Sequence, residues 1–344
     1  MRSSLISFAI VALSVSGCGS EQDGTGASSP GAQNTGAFNP PPVAAGFTRL
    51  TAATVKNVQP GGDVTYCQYV MAPLDHDVDV LEMVGYQSAF GHHAAAFTYT
   101  PQPGEQPGSS FPCMGSEFGS AGVDGGADSH SLSMGAFLGA VGGAGGGTPP
   151  VTLPEGVALR LKKGSGVMLN LHYLNTGDKV INGDAVLDLK FADPDPSQKL
   201  AALFININLG FDLPAGHPTS SSIDCVAQSD VQVIMMSNHM HEFGTSATTE
   251  VQPASGGGAS TLRDDTTWTF DMQFNPTFSR WPVATPFVIH AGDTVRTTCN
   301  WNNTTANDMK FPREMCVGVG FALTTGDNPT VPSCFGGAWN PQGL

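Results

Sequence analysis

The sequence predicts an all-β chain of two tandem antiparallel β-sandwich domains of jelly-roll type. Charged residues make up only 12% of the 344 residues, while Gly and Pro number 43 and 25. This composition favours short strands and many turns over long salt-bridged helices. Apolar residues also recur at alternate positions in short runs bounded by Gly, Pro, Asn and Asp, a pattern typical of β-sandwiches.

The first 17 residues are predicted to be a lipoprotein signal peptide. They contain one Arg and an apolar run, Leu5 to Val15, which is too short for a stable membrane span. The ending "VSGC" resembles a bacterial lipobox, in which Cys18 would carry the lipid, and Gly19 after it favours the outer over the inner membrane. The alternative is an ordinary cleaved signal with an incidental cysteine. Either interpretation predicts export. In the lipoprotein interpretation, the N-terminal lipid is the only contact with the membrane.

Residues 18–45 are rich in Ser, Gly and Pro, which predicts a disordered tether. Two β domains follow, at 46–194 and 195–344, because the breaker-rich segment "ADPDPSQK" marks a boundary. A Gly-rich loop, Gly115 to Gly147, is expected to border a site and to contain one short helix, Leu132 to Val141.

Nine runs are predicted as strands within these domains. In chain order they are "VTYCQYVM", "VALRLKK", "VMLNLHYL", "AVLDLKF", "ALFININL", "VQVIMM", "FVIH", "TVRTTCNW" and "CVGVGFAL".

Charge and cysteine content narrow the function classes. A formal net charge of -15 without a dense basic cluster argues against a nucleic-acid partner. Apart from Cys18, an even number of cysteines in an exported chain implies disulfides, but sequence alone leaves their pairing open among about 15 possibilities. These cysteines are Cys67, Cys113, Cys225, Cys299, Cys316 and Cys334.

The segment "NHMHEFG" places His239 and His241 two residues apart. On a strand such residues share a face, so both imidazoles can reach one ion while Met240 points away. Taken alone, such a pair more often only forms hydrogen bonds or faces solvent at the end of a strand.

Two further histidine motifs strengthen the metal hypothesis. In "FGHHAAAF", His92 and His93 are adjacent and can share an ion only at a bulge, turn or strand end, which Gly91 makes plausible. In "LNLHYLN", His172 shares a strand face with Asn170. Each motif alone also fits an ordinary hydrogen-bonded histidine.

In "REMCVGVGF", Met315 alternates with Val317, Val319 and Phe321, so a packing role is the alternative to a ligand role. A thioether is nevertheless a soft ligand that selects copper, above all Cu(I), over zinc, magnesium or calcium.

Together these four motifs, in this order across about residues 62–335, resemble the copper type II ascorbate-dependent monooxygenases, the family of peptidylglycine α-hydroxylating monooxygenase and dopamine β-hydroxylase. The resemblance implies two β-sandwich domains that each hold one copper ion. It implies ligands His92, His93 and His172 in the first domain, and His239, His241 and Met315 in the second. It also implies disulfides Cys67 to Cys113, Cys225 to Cys334 and Cys299 to Cys316.

The activity implied is hydroxylation of a C–H bond of a small organic substrate with O2 and a reductant such as ascorbate. Substrate identity and oligomeric state stay open. The alternatives are a non-catalytic copper-binding lipoprotein for sequestration or delivery, and a structural lipoprotein without metal. The remaining histidines are interpreted as turn or surface residues: His76, His130, His217 and His290.

The chain departs from the peptide-processing members of the family. Their substrate-carboxylate clamp falls on Ser237, Val317 and Val319 here. We therefore expect a smaller or less polar substrate than a glycine-extended peptide.

Overall fold

The computed structural model describes residues 38–112, 134–141, 151–175, 177–273, 275–311, 313–326 and 330–341. Within them the only helical piece is a 3₁₀ turn, Phe270–Gln273, so the all-β prediction is confirmed. No helix in this part of the chain has the length and apolar character needed to cross a bilayer. The predicted signal peptide, Cys18 and the tether as far as residue 37 lie outside the described residues.

Twelve strands precede the predicted domain boundary. They are β1 Thr48–Thr51, β2 Val55–Val58, β3 Asp63–Met71, β4 Val78–Gln87, β5 Gly91–Tyr99, β6 Ser110–Pro112, β7 Met134–Val141, β8 Val151–Thr152, β9 Val157–Leu161, β10 Gly166–Leu174, β11 Ile181–Gly183 and β12 Ala185–Ala192.

The other strands follow that boundary. They are β13 Lys199–Ile207, β14 Asp212–Leu213, β15 Pro218–Val226, β16 Val231–His239, β17 Gly244–Gln252, β18 Ser260–Asp265, β19 Ser279–Arg280, β20 Phe287–Ile289, β21 Thr294–Asn302, β22 Met309–Lys310, β23 Val317–Leu323, β24 Ser333–Phe335 and β25 Ala338–Asn340. Each of the nine predicted runs lies on one of these strands.

The first half is a sandwich of two antiparallel layers. A five-stranded sheet, ordered β6-β3-β10-β5-β7, faces the β1-β12-β4-β9 part of a larger sheet. Leu169 and Leu171 of β10 belong to the same apolar core as Leu187 and Leu189 of β12, and all four are fully buried. Burial of each such side chain contributes about 1.5–3 kcal/mol.

The second half repeats this arrangement. A four-stranded sheet, β15-β21-β17-β18, packs against β13, β23 and β16 of the larger sheet. Phe204, Val233 and Val295 are fully buried at the centre of this core. The antiparallel sandwich architecture is therefore present on both sides of the predicted boundary.

The larger sheet crosses that boundary, because β9 and β13 pair in parallel through Val157 with Lys199 and Ala158 with Leu200. Strand β13 is buried on both faces: Leu203 packs in the first core and Phe204 in the second. The division at 194/195 stays a prediction, and the shared sheet means that the halves are joined by backbone pairing.

One predicted element is wrong. Of the short helix expected at Leu132 to Val141, the described part, Met134–Val141, is instead β7, which pairs antiparallel with β5 along the edge of the five-stranded sheet. The glycine-rich run has little intrinsic preference for a helix, and pairing with β5 satisfies backbone groups that an isolated short helix would leave unpaired.

Two disulfides confirm the implied pairing: Cys225 with Cys334, and Cys299 with Cys316. Cys67 is also disulfide-bonded and fully buried. Its predicted partner, Cys113, lies outside the described residues.

Candidate metal centre

The first histidine set, His92, His93 and His172, comes together where β5 meets β10. His93 pairs directly with His172, and the next pair along is Gly91 with Tyr173, so His92 is the extra residue of a β-bulge. The predicted distortion is confirmed. It turns two sequence neighbours, which would point to opposite faces of a regular strand, toward one point.

Ligand atoms of the first set all lie within 4.8 Å of one another. His92 Nδ1 and His93 Nδ1 are 3.3 Å apart. Two nitrogens bound to one ion at about 2.0–2.1 Å with a near-tetrahedral angle would be about 3.3–3.4 Å apart. The spacing therefore fits shared coordination.

Neighbouring acceptors orient two rings of the first set. His172 Nε2 donates to Asp63 Oδ1 at 2.6 Å, and His93 Nε2 donates to Asn170 Oδ1 at 3.3 Å. The hydrogen bond to His172 lowers the pKa of the Asp63 carboxyl. A carboxylate or carbonyl on the far nitrogen is the usual support of a metal-binding histidine, because it sets the tautomer and ring orientation.

The side chain of Gln87 also fixes the backbone at His93. Gln87 Nε2 donates to His93 O at 2.9 Å. A Cβ on Gly91 would lie 2.7 Å from the Gln87 Cβ, so the close approach of this side chain requires glycine. Phe90, just before, has a φ of 66°. Gly91 and Gln87 together shape the bulge that presents His92.

The second histidine set, His239 and His241, lies at the end of β16, with ring centroids 5.2 Å apart. Met240 is fully buried in an apolar cluster with Trp268 and Trp301. This confirms that Met240 points away from the histidine face.

Every polar atom of His241 has a hydrogen-bond partner except Nε2. Its backbone N donates to Glu314 at 3.1 Å, its Nδ1 donates to Arg313 O at 3.0 Å, and its carbonyl accepts from Trp268 Nε1 at 3.0 Å. Nε2 is buried without any partner. A buried nitrogen in this state costs about 1–3 kcal/mol, and an ion is one of the groups that relieves such a cost.

Glu314 fixes the turn that carries His241. Its buried carboxylate accepts from His241 N, from Phe243 N at 3.0 Å and from Trp301 Nε1 at 3.1 Å. Burial raises the pKa of Glu314 to about 7, although these donors favour the charged form. Glu314 is not among the residues that the sequence predicts for the site; the available signal was a carboxylate directly before Met315 and the apolar run that follows it.

Met315 is 3% exposed and belongs to the first apolar core with Val317 and Phe321. The fully buried Cys316 lies in the other cluster, with Met240, so the two side chains face opposite ways as predicted. His239 pairs with Val317, and continuing that antiparallel register places Met315 opposite His241. Its role as a ligand stays a prediction.

Two imidazoles of the centre, those of His92 and His241, are held neutral by burial. Burial, followed by the neighbouring histidines, lowers the pKa of His92 well below its usual value. Burial likewise lowers the pKa of His241 well below the ordinary range. Neutral imidazole is the form that binds metals, so both rings are ready as ligands at neutral pH.

The clamp positions carry no charge. Ser237 is 1% exposed and its hydroxyl donates to Asn238 O at 3.2 Å. Val317 is buried, and Val319 is partly buried against the first core. Of the other histidines, three are exposed, as expected: His76, His217 and His290. His130 lies outside the described residues.

No protein-family model and no curated protein matches the chain. Three solved structures align at low similarity. PNGF-II is 9% identical over 81% of this chain and 65% of its own, with a TM-score of 0.37. PNGase F, a glycosylasparaginase from Flavobacterium meningosepticum, is 11% identical over 81% and 96%, with a TM-score of 0.35. The major capsid protein P2 of bacteriophage PM2 is 9% identical over 82% and 99%, with a TM-score of 0.33.

Proposed function

We propose that this chain is a copper-dependent monooxygenase that hydroxylates a C–H bond of a small organic substrate. The observation that carries the proposal is the buried, unpartnered Nε2 of His241, because the ring of His241 lies against that of His92, which belongs to the first set. Such a concentration of imidazoles is a ligand array for a transition metal.

Copper is the metal that these donors favour. Imidazole alone suits several ions, but the thioether of Met315 would add a soft ligand to the second set, and soft ligands select Cu(I). The residues present therefore fit one copper on His92, His93 and His172, and one on His239, His241 and Met315.

Copper bound at these residues would supply dioxygen activation and one-electron transfer. In the overall reaction one atom of O2 enters the C–H bond as C–OH and the other leaves as water. Two electrons and two protons come from a reductant such as ascorbate.

The chain's own residues orient the ligands. Asp63 and Asn170 accept from the Nε2–H groups of His172 and His93, and thereby set the tautomer and orientation of each ring. Arg313 O holds the Nδ1–H of His241 and keeps its Nε2 free. Each ring is thus oriented before the metal binds.

The substrate that we propose is small and weakly polar. Ser237, Val317 and Val319 offer no cation to bind a carboxylate, and the Ser237 hydroxyl is already engaged with the backbone. A substrate recognised here would be held by apolar contact and hydrogen bonds rather than by an ion pair.

Export to the cell envelope, with a lipid on Cys18, is part of the proposal. The two described disulfides support it, since such bonds persist in oxidising compartments.

The test is O2 consumption by the copper-loaded full chain with ascorbate and a metabolite extract, followed by mass spectrometry for a product with one added oxygen. His239→Ala and Met315→Leu should each abolish turnover, while His290→Ala, which changes an exposed histidine, should not. If both ligand variants keep full turnover, the proposal is wrong. Efficient turnover of a glycine-extended peptide would contradict the substrate class.

A second candidate is a copper-binding protein for sequestration or delivery. The uncharged clamp positions favour it, because they provide no evident substrate grip. It predicts two bound copper ions and no hydroxylated product, whereas a structural lipoprotein predicts no copper.

A further inference from the structure

The two histidine sets are in direct contact. The ring centroids of His92 and His241 are 4.5 Å apart in an edge-to-face arrangement. This is closer than His92 to His172, at 4.8 Å, or His239 to His241, at 5.2 Å. The contact between the sets is therefore as tight as the contacts within them.

Both partners in this contact are held by the fold. His92 is the bulged residue of β5, so its ring leaves the regular pleat of the sheet. His241 is fixed by the carbonyl of Arg313 and the carboxylate of Glu314. The backbone pairing of β9 with β13 joins the two halves that carry these residues.

We propose that the two sets form one contiguous centre, in which two ions occupy neighbouring coordination spheres across the His92 to His241 contact. The inference rests on the proposed function only in that both sets take copper. An ion lies about 3 Å from the centroid of an imidazole that binds it. Two ions bound to rings 4.5 Å apart are then separated by no more than about 11 Å.

Two cations this close repel each other. With an effective dielectric constant of about 20, two unit charges about 11 Å apart weaken the binding of the second by about tenfold, and closer ions weaken it further. The effect must be reciprocal: each ion lowers the affinity for the other by the same factor. Ions in independent sites separated by open solvent would change each other's affinity less than about twofold.

The first experiment is an anaerobic Cu(I) titration of the full chain against a competing chelator. His172→Ala weakens the first set and leaves the His92 ring in place, and His239→Ala weakens the second. In each variant, the Cu(I) association constant of the intact set is measured. The product of these two association constants is then compared with the overall association constant for binding both ions to the wild type. Because the ions repel each other, we expect the overall association constant of the wild type to be lower than the product of the two variant constants by a factor of about ten or more. His76→Ala, which alters an exposed histidine, is the control.

An overall association constant that agrees within about twofold with the product of the two variant constants would overturn the proposal.

The second experiment needs no variant. The wild-type chain is loaded first with a small fraction of its Cu(II) capacity and then fully, and the electron paramagnetic resonance spectra of the two samples are compared. Magnetic interaction between neighbours should broaden the fully loaded spectrum, and an unchanged line shape would overturn the proposal.

The outcome also separates this inference from the proposed function. Coupled copper ions without any hydroxylated product would support a contiguous centre and refute the monooxygenase. Hydroxylated product with uncoupled ions would support the monooxygenase and refute the contiguous centre. A chain that binds no copper would refute both proposals.

Discussion

The carboxylate of Asp63 allows a quantitative test of the first histidine set. Asp63 Oδ1 accepts from His172 Nε2 at 2.6 Å, and its side chain is 56% exposed. A hydrogen bond to a charged group contributes about 1.5–3 kcal/mol, and exposure to water reduces this to about 1–2 kcal/mol. Since about 1.4 kcal/mol is a factor of ten, Asp63→Asn should weaken Cu(I) binding at the first set about tenfold.

The assay is a competition titration of the full chain with a Cu(I) chelator. The matched control is Asp75→Asn, because Asp75 also hydrogen-bonds a histidine, His76, but both side chains are largely exposed and neither belongs to the set. The control should bind copper like the wild type. Circular dichroism and a urea melt of each variant establish that the fold is retained.

Equal Cu(I) affinities for Asp63→Asn and Asp75→Asn would refute the reasoning. The orientation of His172 by its carboxylate partner would then make no contribution to the centre. A loss in both variants would show a general effect of surface charge.

Three further predictions concern the surroundings of the centre. Burial raises the pKa of folded Glu314 to about 7, above the ordinary carboxyl value of 4.5, so the stability of the metal-free chain falls as pH rises between these values. The free energy of unfolding of the wild type minus that of Glu314→Gln should therefore drop by up to about 3 kcal/mol from pH 4 to pH 8, and a flat difference would contradict this. Gly91→Ala places a Cβ 2.7 Å from the buried Gln87 side chain, so it should lower the free energy of unfolding by about 1–3 kcal/mol and weaken copper binding. In the control Gly258→Ala the new Cβ meets nothing within 4 Å, so neither quantity should change. Met315→Leu should lower Cu(I) affinity at least about tenfold with little loss of Zn(II) affinity, whereas Met240→Leu should lower neither; a similar Cu(I) loss in both would exclude Met315 as the selective ligand.

Much of the fold could be predicted because its strands carry local patterns. Strands such as β10, β13 and β16 contain apolar runs bounded by breakers, and each was predicted. By contrast, β15 and β17 are rich in Ser and Thr, and few apolar residues mark the alternation of less and more exposed positions along them. Neither strand is among the predicted runs for that reason.

The wrong helix at Leu132 to Val141 has a similar cause. A run of Gly and Ala carries little information about its own conformation, and pairing with the free edge of β5 decides that it is a strand. Glu314 also escaped notice, because the value of a buried carboxylate depends on donors far away in the chain. Trp301 and Phe243 are brought to it only by the fold.

The sequence by itself determined the all-β class, the grouping of the histidines into motifs, and, through a family resemblance, the pairs Cys225 with Cys334 and Cys299 with Cys316. These follow from residue type and spacing, which are local properties of the chain. Only the tertiary structure decided that a bulge turns His92 beside His93, that His241 keeps one buried nitrogen without a partner, and that the two sets touch. The physical reason is that these features depend on strand register and on packing between distant segments, which no short stretch of sequence encodes.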